Sequence, residues 1–101
     1  MMTRYLDRRR YIRVPASGPV QWRSGQRCGQ GELVDISPGG AGLRLPLRKA
    51  AQLGPAVTLA VELSPGVSWA LPENARVVRR IPDDDGHCVV GVEFPAVPGN
   101  A

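Results

Sequence analysis

Short β-type runs cut by turn residues predict an all-β fold, a small antiparallel barrel of six strands. Val57, Leu59, Val61 and Leu63 alternate with Thr58, Ala60 and Glu62, the clearest period-two pattern in the chain. The 12 glycines and 10 prolines among 101 residues supply many tight connections while staying below the level of a low-complexity chain. Closing such short strands into a barrel would also remove the open edges that a small β domain otherwise carries.

Taken in order, residues 1–15 form a basic arm, residues 16–95 the barrel and residues 96–101 a short tail. Val20 to Arg23 reads as the first strand, followed by a polar, glycine-rich connection from Ser24 to Gly31. Glu32 to Ile36 and Ala41 to Leu45 are the second and third, joined across Ser37-Pro38-Gly39-Gly40. Leu47 to Leu53 looks briefly helical and Gly54-Pro55 ends it. The alternating run from Val57 is the fourth strand, punctuated by Ser64-Pro65-Gly66. A longer strand lies within Val67 to Ile81, with Pro72 marking an edge or a bend. After the turn at Pro82 to Gly86, Cys88, Val90, Val92 and Phe94 share one face of the last strand.

The charge is unevenly placed. Residues 1–13 hold five arginines (Arg4, Arg8, Arg9, Arg10, Arg13) against Asp7, which equals the whole net charge of +4; the other residues carry eight basic and eight acidic groups. A basic arm on a neutral body attracts phosphates, in a nucleotide, a nucleic acid or an anionic membrane. Cys28 and Cys88 show neither a C-x-x-C spacing nor a disulfide framework, and no apolar run approaches the ~18 residues that span a bilayer. The expectation is a cytoplasmic protein with reduced thiols and no membrane insertion.

Two strings could carry chemistry. In Asp35-Ile36-Ser37-Pro38-Gly39-Gly40 the acid and hydroxyl fall on alternate positions, so on a strand they face one side while Val34 and Ile36 face the core. Gly39 and Gly40 permit positive φ and leave room for a ligand to approach the backbone. The blander reading is a hairpin turn whose amides Asp35 and Ser37 cap. Arg9 and Arg13 are four apart: about 13 Å if extended, but ~6 Å in one helical or looped turn, close enough to clamp one ligand. An arginine fork binds guanine O6 and N7 as well as phosphate oxygens. Its blander reading is a disordered basic terminus.

Together and in this order, the two strings resemble the PilZ domain, a bacterial receptor for cyclic di-GMP. The likeness covers most of the chain: RRRYIRVP, then DISPGGAGLRL, then the more generic strands ARVVRR and VVGVEF. The resemblance implies that Arg9 and Arg13 bind guanine and phosphate, that Asp35 and Ser37 hold a guanine edge, and that Gly40 makes room in the turn. Arg8, Arg10 and Gly39 are further contacts it suggests, with arginine at position 8 favouring two stacked ligand molecules. It also implies an arm that hinges at Val14 and Pro15, wraps over the ligand, and signals through an unidentified protein partner. Every motif position is filled, as in ligand-binding members.

The alternatives are a nucleic-acid-binding β-barrel and a PilZ-like adaptor that binds no nucleotide. Against the first, Trp22, Trp69, Tyr5, Tyr11 and Phe94 make no stacking series on one strand pair. Enzymatic and metal chemistry find little support. His87 is the only histidine, Ser37 has no evident base, and Asp83-Asp84-Asp85-Gly86 lacks the alternating ligands and distal acid of a metal loop. No catalytic residue, metal or cofactor is expected.

Overall fold

The computed structural model describes residues 17–95 together with the backbone of Val14 and Pro15. Eight antiparallel strands and one short helix make up this part: β1 Val14–Pro15, β2 Pro19–Ser24, β3 Arg27–Ser37, β4 Gly40–Pro46, α1 Leu47–Ala50, β5 Ala56–Ser64, β6 Val67–Ala70, β7 Ala75–Pro82 and β8 His87–Glu93. Six of the strands pair in the order β3-β2-β5-β7-β8-β4, and β4 pairs back with β3, so the path returns to its start. The all-β expectation holds, as does the ring of six. β1 and β6 are short additions on β3 and β5.

Alternation explains the interior. Val20 and Trp22 of β2, Ala41, Leu43 and Leu45 of β4, Val57, Leu59 and Val61 of β5, and Cys88, Val90 and Val92 of β8 are all buried. Each such side chain contributes roughly 1.5–3 kcal/mol when fully removed from water. The residues between them face out, which is what a period of two requires. The helical turn after β4 brings Ala50 and Leu53 into the same core. Arg80 ties the loop behind it to β7, donating to the carbonyls of Leu53 at 2.9 Å and Gly54 at 3.3 Å.

Two elements differ from the sequence reading. Arg27 to Gly31 is not a connection but the first half of an 11-residue β3, paired with β2 as far as Ser24↔Arg27. Its polar, glycine-rich composition hid the strand; Gly29 is there because the indole of Trp22 lies where its side chain would be. The long strand expected between Val67 and Ile81 is two strands, β6 and β7, separated around Pro72. Proline has no amide hydrogen for a ladder, and Asn74 close by takes φ of 58°, a turn conformation.

Candidate functional site

The register of β3 and β4 places the acid–hydroxyl string. Leu33 pairs with Leu43, Asp35 with Gly42, Ile36 with Ala41 and Ser37 with Gly40, so Val34 is an extra residue in a β-bulge. The bulge resets the alternation: Leu33 is buried, Ile36 packs against the core, and Asp35 and Ser37 both take the outer wall beside β4. Val34, expected inside, is only half-buried at the bulge and Leu33 takes the core position instead. Without the bulge, Leu33 and Asp35 would share a face.

The turn is built differently from the expectation in one respect. Neither Gly39 nor Gly40 has a positive φ, a conformation that falls instead on Gly18, Gly25, Gly66 and Gly86 among the described glycines. Ser37 closes the turn: its Oγ accepts the amide of Gly39 at 3.2 Å and donates to the carbonyl of Gly40 at 3.4 Å. The residue is 9% exposed. A hydroxyl has two lone pairs and one hydrogen, so one acceptor position is left after these two bonds.

Val14 pairs with Ile36 and Pro15 with Asp35, so β1 joins the sheet directly beside the acid–hydroxyl string. Arg8, Arg9, Arg10 and Arg13 lie outside the described residues, as does the expected tail.

Further along the same outer wall, one row crosses four strands. Asp35 pairs with Gly42, Gly42 with Gly91, and Gly91 with Arg79. A Cβ on Gly42 would stand 3.0 Å from Oδ1 of Asp35, and one on Gly91 3.5 Å from Nε of Arg79. The carboxylate and the guanidinium thus lean inward over two neighbouring glycines, whose Cα atoms are about 4.5–5.5 Å apart as antiparallel partners. The next row runs Ser37, Gly40, Glu93, Arg76, and there Arg76 and Glu93 form an ion pair. Gly42, Gly91 and Arg79 were not singled out in the sequence. The signal available was a glycine inside each of two strands, which often marks a close approach to backbone.

Asp83 anchors the β7–β8 turn: its Oδ1 accepts the amides of Asp85 at 2.9 Å and His87 at 3.1 Å, and its Oδ2 takes Nε of Arg44 at 3.0 Å. The Asp85 amide above all, and also the Arg44 guanidinium, holds this carboxyl below its ordinary value. Cys28 is exposed and Cys88 buried, both as free thiols. Among the described residues no cluster of three or more metal-ligating side chains occurs, and no helix is long and apolar enough to cross a membrane. An open hollow of about 410 Å³ near Glu32, Arg44 and His87 contains none of the motif residues.

The family model of the PilZ domain matches residues 7–101. The chain belongs to the PilZ domain family. PilZ domains are ligand-binding adaptor domains. No curated protein matches the chain. Among solved structures, this PilZ domain is similar to the inhibitor of motility MotI/DgrA of Bacillus subtilis, with a TM-score of 0.66, 20% identity, and 91% of this chain covered. It is similar also to the PilZ domain of YcgR from Escherichia coli, a structure with c-di-GMP (TM-score 0.65, 21% identity, 91% of this chain and 81% of that one). A third is the PilZ domain of CeSA from a cellulose-synthesizing bacterium (TM-score 0.57, 24% identity, 85% and 83%). The chain spans only 44% of the Bacillus protein. At these identities the likeness shows a shared fold.

Proposed function

We propose that this PilZ domain is a receptor for cyclic di-GMP that signals through a protein partner. The observation that carries the reading is the outer wall where Asp35 and Ser37 stand together, with the chain joining the sheet at Val14 directly beside them. Arg13 immediately precedes Val14, the residue paired with Ile36, in the sequence. In this reading Arg9 and Arg13 bind guanine and phosphate, Asp35 and Ser37 hold a guanine edge, and Gly40 leaves room in the turn. Arg8, Arg10 and Gly39 add contacts. The E. coli structure that resembles this chain contains the same nucleotide, which supports the choice of ligand.

Calorimetric titration with cyclic di-GMP tests this. Arg9→Ala or Arg13→Ala should each weaken binding by roughly 5- to 150-fold, because a bidentate arginine–guanine contact discriminates by about 1–3 kcal/mol and each 1.4 kcal/mol is a factor of ten. Asp35→Ala and Ser37→Ala should weaken it with the fold intact. Absence of both heat and competition at high micromolar nucleotide would end the assignment.

Ligand then folds the arm onto the barrel wall, and the composite surface is what a protein partner reads. A pull-down with and without nucleotide checks the switch; identical partners in both states would argue against it. The protein acts in the cytoplasm, where the nucleotide and reduced thiols coexist.

A further inference from the structure

We infer that Arg79 is a further ligand-binding side chain of this site, one that reads the O6/N7 edge of a guanine whose donor edge rests on Asp35. This rests on the cyclic di-GMP reading above. The row Asp35–Gly42–Gly91–Arg79 sets an acceptor and a donor fork over adjacent strands, both leaning toward the middle. Guanine is complementary to that pair, with acceptors at O6 and N7 and an amino donor at N2. A carboxylate accepts from the N1–H and N2–H₂ side and a guanidinium donates to the other. Gly42 and Gly91 carry no side chain of their own, so the Asp35 carboxylate and the Arg79 guanidinium lie over them side by side and can meet the contiguous N2–N1–O6–N7 edge of one ring from outside.

The neighbouring arginines of the described wall are already engaged. Arg76 is paired with Glu93, Arg80 donates to the carbonyls of Leu53 and Gly54, and Arg44 bonds Asp83 and Asp85. Arg79 is exposed, lies flat along the glycine face, and has no hydrogen bond or ion pair among the described residues. An arginine held there is available to a ligand without breaking a bond that the fold uses. Adenine would bring an amino donor against the guanidinium in place of O6, so the same group also selects against it.

The test is a coupling measurement with two nucleotides, cyclic di-GMP and its 7-deaza-guanine analogue, which lacks N7. The wild-type chain and the variants Arg79→Ala and Gly91→Val are titrated, each checked for folding by circular dichroism. The wild type should bind the analogue more weakly than the parent. Arg79→Ala should bind the parent ~5- to 150-fold more weakly than wild type does and show little further loss on the analogue. Gly91→Val keeps both charged groups but pushes aside the Arg79 side chain that lies over position 91, and should weaken both nucleotides. If wild type binds and Arg79→Ala binds equally well, Arg79 is no contact. If Arg79→Ala weakens both nucleotides by one factor and the analogue's penalty persists, it does not read N7 and the inference is overturned. If the wild type binds neither nucleotide, the receptor reading itself is overturned and this inference with it.

Discussion

The indole of Trp22 occupies the space in which Gly29, its cross-strand partner, would otherwise carry a side chain. A Cβ at Gly29 would stand 2.7 Å from Cζ2 and 2.9 Å from Cε2 of the ring. Trp22 is 2% exposed, so the ring has little room to retreat. Gly29→Ala should therefore destabilise by overpacking, at about 1–3 kcal/mol. Thermal melts should show it as a fall of ~4–8 °C per kcal/mol for a domain of this size. An unchanged melting temperature would mean that the ring shifts freely.

Gly42 has the same relation to Asp35, a proposed ligand contact. Its Cβ would come 3.0 Å from Oδ1 of Asp35, so Gly42→Ala must move the carboxylate by a few tenths of an ångström. Cyclic di-GMP affinity should fall several-fold in calorimetry while the chain still folds, since the only side-chain group the new methyl crowds is the end of Asp35. Equal affinity in the variant would remove Asp35 from the contact set or show that its carboxylate tolerates the shift.

Ser24 is a buried staple between segments thirty residues apart. Its Oγ accepts the amide of Gly54 at 2.8 Å and donates to the carbonyl of Ala56 at 2.7 Å. Ser24→Ala removes both bonds and strands two backbone groups in a partly buried place, at about 1–3 kcal/mol. Urea unfolding should give a lower midpoint with an unchanged slope. Nucleotide affinity should be unaffected, because Ser24 is at the far end of β2 from the Asp35 row.

Asp83 gives the stability a pH dependence of known sign. Its folded carboxyl is held below the ordinary value of 3.8, first by the Asp85 amide and further by Arg44 and the His87 amide. Such a group stabilises the fold fully above its unfolded pKa, and the contribution fades as pH falls through the lower folded value. Asp83→Ala should thus melt lower than wild type at pH 7. The gap should hold down to about pH 5 and narrow below 3.8. A gap constant from pH 7 to pH 3 would show that the charge contributes nothing.

Local chemistry made much of this molecule legible. Alternating Val57, Leu59 and Val61 all face the core, Asp83 to Gly86 is a hairpin turn, and Ile36 points inward with Asp35 and Ser37 on the other wall. These features depend on neighbours in the chain, so the period and the turn residues suffice to find them. The bulge at Val34 is different in kind. It exists because two strands with separate apolar patterns must match registers, and it exchanges Val34 for Leu33 in the core. The strand from Arg27 to Gly31 is likewise formed by its partner, since Gly29 reads as a loop residue until Trp22 is laid across it.

The sequence alone determined the β class, the motif and its family likeness, because each is written in spacing along one chain. Only the tertiary structure decided what stands beside Asp35. Gly42 is seven residues away and Gly91 and Arg79 more than forty, and nothing in their own surroundings joins them. They become one row through the pairing of β3, β4, β8 and β7, which closure of the ring imposes.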